Sequence, residues 1–145
     1  MEMINSILLV DDECLFHLVF EDACSLLDIT LNLESIDSAD EAARLFDAWK
    51  STPEKKPDCV FVDLNIIGSS FNGIELIRKI NFEYGNGVVI GIISSSADSE
   101  EIAKAVQAGA QFWIVKSDDI EPRLEEFKKD YSGYVDRTGS FKVYK

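Results

Sequence analysis

Short apolar runs alternate with longer stretches of helical period along this chain. Ile7-Leu8-Leu9-Val10, Cys59-Val60-Phe61-Val62, Val88 to Ile93 and Phe112 to Val115 are continuous apolar runs. Runs of that length with β-branched residues suit strands buried on both faces, as in a parallel sheet. Thr30 to Ile36 instead alternates, with Leu31 and Leu33 on one face, which predicts a strand at a sheet edge. Between these runs lie helices with readable ends. Glu13 to Leu27 brings Leu15, Leu18, Val19, Leu26 and Leu27 near helical spacing, the expected buried stripe of a first helix. Ser38-Ala39-Asp40-Glu41 is a capping-box pattern that opens a second, with Ala42, Leu45, Phe46 and Trp49 on its apolar side. Ile74, Leu76, Ile77 and Ile80 mark a third, beginning near Gly73, and Asp98-Ser99-Glu100-Glu101 opens a fourth that stops at Gly109. A fifth is expected from Asp119 to Lys129, with Pro122 in its first turn.

Strand and helix in strict alternation imply right-handed crossovers and an α/β fold, a doubly wound five-stranded parallel sheet in a three-layer sandwich. The pattern covers residues 1–130 as one domain. Residues 131–145 are expected as a C-terminal tail, loosely ordered or folded into a short hairpin across Tyr134-Val135 and Phe141-Lys142-Val143. Ligands of such sheets sit beyond the carboxyl ends of the strands, where strand order reverses.

Composition narrows the partners. A length of 145 residues fits one domain, and 46% hydrophobic residues suffice for a full core. The net charge of −13 argues against nucleic acid, which needs a basic face, and against anionic membrane surfaces. No stretch approaches the roughly 20 apolar residues of a membrane span. The start, Met1-Glu2-Met3-Ile4-Asn5-Ser6, lacks a basic signal region. Cys14, Cys24 and Cys59, without CxxC spacing, read as reduced thiols in a cytoplasm.

The strand ends carry the chemistry. The first strand runs into Asp11-Asp12-Glu13, the third into Asp63, the fourth into Ser94 and the fifth into Lys116. Asp11, Asp12 and Asp63 in one crevice repel one another unless a cation intervenes, and hard oxygen ligands favour Mg²⁺ with a phosphoryl group. Ser94 and Lys116 supply donors for phosphoryl oxygens. Asp63 can then act as a nucleophile forming an acyl phosphate.

With these residues, roughly 4 to 130 resembles the receiver domain of bacterial two-component response regulators, a flavodoxin-like (βα)5 fold. Asp11 and Asp12 after Leu8-Leu9-Val10, Asp63 after Val60-Phe61-Val62, Ser94 after Ile92-Ile93, and Ala108-Gly109-Ala110 ahead of Lys116 carry the likeness. It implies that Asp63 is the phosphoacceptor and that Asp11, Asp12, Asp63 and the Asn65 backbone carbonyl bind Mg²⁺. Ser94 and Lys116 would contact the phosphoryl group, with Ser94 and Trp113 as switch residues. Asn65 and Ser96 would tune the lifetime of the phosphoryl group. The phosphoryl donor would be a histidine kinase or phosphotransfer protein. Output would pass by protein–protein contact through Glu100 to Lys129, from a stand-alone receiver that is a monomer or weak homodimer. Such a protein is no enzyme beyond its own phosphorylation and dephosphorylation. The chain departs from the family pattern at Lys116-Ser117, where proline usually follows the lysine, so a trans peptide is expected. Ile67 also replaces a common proline, the 64–72 loop is longer than usual, and Trp113 replaces the usual Tyr or Phe.

Other functions fit less well. A pseudo-receiver, a constitutive binding module without regulated phosphorylation, would share the fold; the intact acid, hydroxyl and lysine set argues against it and the altered loops for it. A phosphohydrolase lacks a general acid at Asn65, and an acidic pocket would repel a flavin phosphate. His17, Trp49, Phe82-Glu83-Tyr84, Gly85-Asn86-Gly87 and Lys55-Lys56 are read as structural or solvated positions.

Overall fold

Six parallel strands and five helices account for the alternation of the sequence in a computed structural model that describes residues 4–65 and 72–145. In chain order they are β1 (Ile4–Val10), α1 (Cys14–Leu26), β2 (Thr30–Ile36), α2 (Ala39–Ala48), β3 (Cys59–Asp63) and α3 (Gly73–Tyr84). Then come β4 (Val89–Ser94), α4 (Ser99–Ala108), β5 (Phe112–Val115), α5 (Glu121–Val135) and β6 (Lys142–Tyr144). The sheet order is β2-β1-β3-β4-β5-β6 with every pair parallel, which puts β2 at an edge as its alternation predicts. Strand order reverses between β1 and β3, and the crevice beyond their carboxyl ends opens there.

Local chemistry sets the helix ends. Asn72 and Glu75 form a reciprocal capping box at α3, while Ser38 and Asp98 each accept one backbone N–H at α2 and α4. Gly109, with φ of 113°, closes α4 in the left-handed conformation that glycine adopts without strain. Successive strand residues then divide between two cores. Leu8 and Val10 face α2, α3 and α4 with Phe46, Trp49, Ile77 and Trp113; Ile7 and Leu9 face α1 and α5 with Phe20, Phe61, Phe112 and Phe127. Gly91 leaves room for the Phe112 ring, since a Cβ there would stand 2.5 Å from it. Phe112 then joins Phe61 and Phe127 at centroid distances of 5.2 and 4.6 Å.

Three expectations need correction. The leucines of α1 are not its buried stripe: Leu15, Leu18 and Leu26 are 79%, 60% and 72% exposed, and Val19 and Leu27 pack only partly. Phe16, Phe20, Ala23 and Cys24 are buried instead, because the aromatic pair removes more apolar surface from water than a leucine stripe. Second, α5 does not stop at Lys129 but continues to Val135, anchored by buried Tyr131 and Tyr134. Third, the end of the chain is neither loose nor a hairpin. Lys142–Tyr144 pairs with β5 in parallel, making a sixth strand where five were expected. A hairpin needs antiparallel neighbours; here α5 serves as the crossover that returns the chain in parallel. Leu31's side chain and Ile67 lie outside what is described. Among the described residues no helix is long and apolar enough to cross a membrane.

Candidate functional site

The carboxyl ends of β1, β3, β4 and β5 bring Asp11, Asp63, Ser94 and Lys116 into one pocket. The Asp11 N–H donates to the Ile36 carbonyl at 3.0 Å, which ties the end of β1 to β2. Asp11 is fully buried, while Asp63 and Ser94 are 6% and 3% exposed. Such burial of two acids is rare without a countercharge. Lys116 supplies part of it. Its Nζ lies 2.7 Å from Asp11 Oδ2, 3.3 Å from Asp63 Oδ2 and 3.1 Å from Glu13 Oε1. The Phe16 ring supports the ammonium at 4.9 Å, and the Lys116 backbone N–H donates to the Ser94 carbonyl at 2.7 Å.

One lysine does not balance the pocket. Burial first, and the neighbouring Asp11 second, push the Asp63 carboxyl up to about 6, against the pull of Lys116 and the Asn65 N–H. Burial disfavours the charge on Lys116, yet the Asp11, Asp63 and Glu13 carboxylates outweigh it and hold the ammonium above its ordinary range. Asp11 Oδ1 accepts from the Glu13 N–H at 2.8 Å. Its Oδ2 is buried without an aligned hydrogen bond, despite the close ion pair. Asp11, Asp12 and Asp63 each offer an oxygen within 4.8 Å of the others. Two buried acids sharing one ammonium, one of them pushed toward neutrality, and three hard donors suit a divalent cation such as Mg²⁺.

The expected residues fall into a centre and a rim. Asp11, Asp12, Asp63 and Lys116 converge, with the Ser94 side chain buried at the end of β4. Asn65 and Ser96 are exposed at the ends of the neighbouring loops. The Ser96 N–H donates to Ser94 Oγ at 3.4 Å, and its carbonyl accepts from the Trp113 indole N–H at 2.9 Å. Trp113 is fully buried, so the bulk of the indole is accommodated. The Lys116–Ser117 peptide is trans, as expected. Gly73 sits directly against the end of β3. A Cβ there would stand 2.3 Å from the Asp63 carbonyl, so only glycine lets α3 start so close behind β3.

Three neighbours were not anticipated at the site. Glu13 reaches Lys116, Phe16 lies under it, and His17 Nε2 hydrogen-bonds the Asp11 carbonyl at 2.5 Å. All three sit at the start of α1, directly after Asp11-Asp12. That position was the available signal, but an acid there also reads as an ordinary helix N-cap.

Comparison with known proteins agrees with this geometry. The family model described as "Response regulator receiver domain" matches residues 7–126. An uncharacterized transcriptional regulatory protein of Bacillus subtilis, YhcZ, is 33% identical over 89 residues, covering 61% of this chain and 39% of that protein. The chain thus spans well under half of that relative. A two component response regulator from Cytophaga hutchinsonii superposes with a TM-score of 0.77 at 21% identity, over 93% of this chain and 99% of that one. The phosphorylated cyanobacterial phytochrome response regulator RcpA gives a TM-score of 0.70 at 17% identity, over 94% and 97% of the chains. At these identities the structural likenesses speak for the fold.

Proposed function

The chain belongs to the response regulator receiver domain family, and from that premise we propose that Asp63 accepts a phosphoryl group in a pocket that binds Mg²⁺. The donor is a phosphohistidine on a histidine kinase or phosphotransfer protein. The observation that carries the reading is the pocket itself: buried Asp63 and Asp11 share one Lys116 ammonium and remain short of positive charge. Asp11, Asp12, Asp63 and the Asn65 backbone carbonyl hold the metal, which supplies charge to offset that of the phosphoryl oxygens. An ionised Asp63 Oδ attacks phosphorus; the P–N bond breaks, the imidazole nitrogen leaves with the electron pair, and an acyl phosphate remains on Asp63. With its carboxyl at about 6, Asp63 is mostly ionised at pH 7. Lys116 contacts one phosphoryl oxygen and the Ser94 hydroxyl donates to another. Asn65 and Ser96, exposed at the rim, set how readily water reaches the acyl phosphate. That RcpA is named as phosphorylated supports the reading by analogy of fold.

Ser94 and Trp113 then pass the change outward through Ser96, whose backbone joins them. Output is a protein–protein contact on the 100–129 face, formed by α4 and α5, in the cytoplasm, without nucleic acid or membrane and with no turnover beyond the chain's own phosphoryl group. Intact mass after acetyl phosphate and Mg²⁺ tests the assignment. One phosphoryl adduct is expected on wild type and none on Asp63→Asn. Uptake by the variant would move the acceptor elsewhere. No uptake by either would leave a constitutive binding module.

A further inference from the structure

β6 covers Trp113 in a way that phosphoryl chemistry does not require. It pairs with β5 so that Val143 stands beside Trp113 and Tyr144 beside Ile114. Val143 and Phe141 pack on the core that contains the fully buried indole. Tyr144 enters the opposite core, its hydroxyl 2.6 Å from that of Tyr134 and donating to Asp130 at 2.8 Å. Lys142 adds ion pairs to Glu126 and Asp130 at 2.5 and 3.1 Å. The strand is thus held by Tyr144 and Lys142, while Phe141, Lys142 and Val143 remain half-exposed.

From the inside, the same indole is tied to the phosphoryl pocket. Its N–H donates to the Ser96 carbonyl, and the Ser96 N–H donates to Ser94 Oγ. A Ser94 hydroxyl that turns to a phosphoryl oxygen gives up that contact and frees the Ser96 backbone to shift. The buried indole N–H then loses its acceptor, which is costly, unless the ring follows. A following ring disturbs the Trp113–Val143 pair. Of the strands flanking β5, the three-residue β6 yields with least loss, since β4 is buried along its whole length.

We propose that β6 is a releasable strap over Trp113 whose attachment opposes occupation of the Asp63 pocket. Phosphorylation then frees the strand and uncovers the outer edge of β5. The inference rests on the phosphoacceptor reading of Asp63. Because coupling is reciprocal, loosening the strap tightens the pocket for phosphoryl groups.

The test uses the whole chain with beryllofluoride and Mg²⁺ as the phosphoryl mimic. Amide exchange at residues 142–144 is followed by NMR, and thermal unfolding of the same samples registers occupation. Occupation is expected to speed exchange there by about fivefold or more, while β1 keeps its protection. Lys142→Glu, which meets Glu126 and Asp130 with like charge at an exposed position, is expected to bind beryllofluoride about fivefold tighter. Tyr144→Phe keeps the ring, loses the hydroxyl's bonds and shifts the same way. A rise in Tm with unchanged exchange at 142–144, or with unchanged affinity in both variants, overturns the strap and leaves Asp63 as acceptor. No rise in Tm on wild type overturns the acceptor reading, and the strap with it.

Discussion

Burial and the neighbouring Asp11 keep a proton on Asp63 up to about pH 6, whereas the unfolded chain releases it near 3.8. Between those values the folded chain binds more protons than the unfolded one, so stability falls as pH rises through the window and stays low above it. The receiver therefore folds around a destabilising acid, as a site kept for chemistry does. In metal-free buffer Asp63→Asn is expected to be more stable than wild type at pH 7.5, and the advantage to vanish near pH 3.5, where both states carry the proton. The shift, already net of the pull of Lys116, corresponds to about 3 kcal/mol, which solvent near the pocket and side-chain relaxation reduce to about 1–2 kcal/mol. Urea unfolding of both proteins at the two pH values measures this. A variant less stable than wild type at pH 7.5 would mean that Lys116 already satisfies Asp63.

At the scale of elements, α1 separates period from phase. Its leucines and its phenylalanines both recur at helical spacing, and hydrophobicity alone does not say which set turns inward. Ring area decides it, once β1 and β3 are in place to receive Phe20, whose ring meets Phe61 at 5.1 Å. Phe20→Ala is therefore expected to cost about 3–5 kcal/mol, and Leu18→Lys less than about 0.5 kcal/mol, in denaturant unfolding. Equal costs would return the leucines to the core. β1, β3, β4 and β5 were legible because burial on both faces leaves unbroken apolar runs, α3 because Ile74, Leu76, Ile77 and Ile80 keep the helical period after Gly73, and α4 because its ends are written in Asp98 and Gly109. The last turns of α5 were not, since Lys128-Lys129-Asp130 interrupt the pattern and Tyr131 and Tyr134 do not read as apolar. β6 was illegible for a different reason: three residues carry no period, and their strand depends on pairing with β5, which lies far back in the chain. The site was legible at Asp11, Asp12, Asp63, Ser94 and Lys116 because this topology converges its strand ends. Glu13 and the Ser94–Ser96–Trp113 chain depend on side-chain and loop directions that spacing does not encode.

At the scale of the whole molecule, a net charge of −13 and a triad of aspartates respond to cations in different ways. Diffuse self-repulsion is relieved by any salt and follows ionic strength. A pocket with Asp11, Asp12 and Asp63 responds to a divalent ion saturably, because bound metal stabilises the folded chain by mass action. Sodium chloride raised from about 20 to about 200 mM is expected to lift Tm gradually, and equally in wild type and Asp12→Asn. Mg²⁺ added at constant ionic strength should give wild type a further rise that levels off. At ten times its Kd that rise corresponds to about 1.4 kcal/mol, or about 3–5 °C for a chain of this size. Asp12→Asn removes one of the three donors while leaving the rest of the surface charge in place, so it should lose the saturable part alone. An equal Mg²⁺ response in the two proteins would assign the effect to surface screening, and the three aspartates would then be only a small share of the general excess.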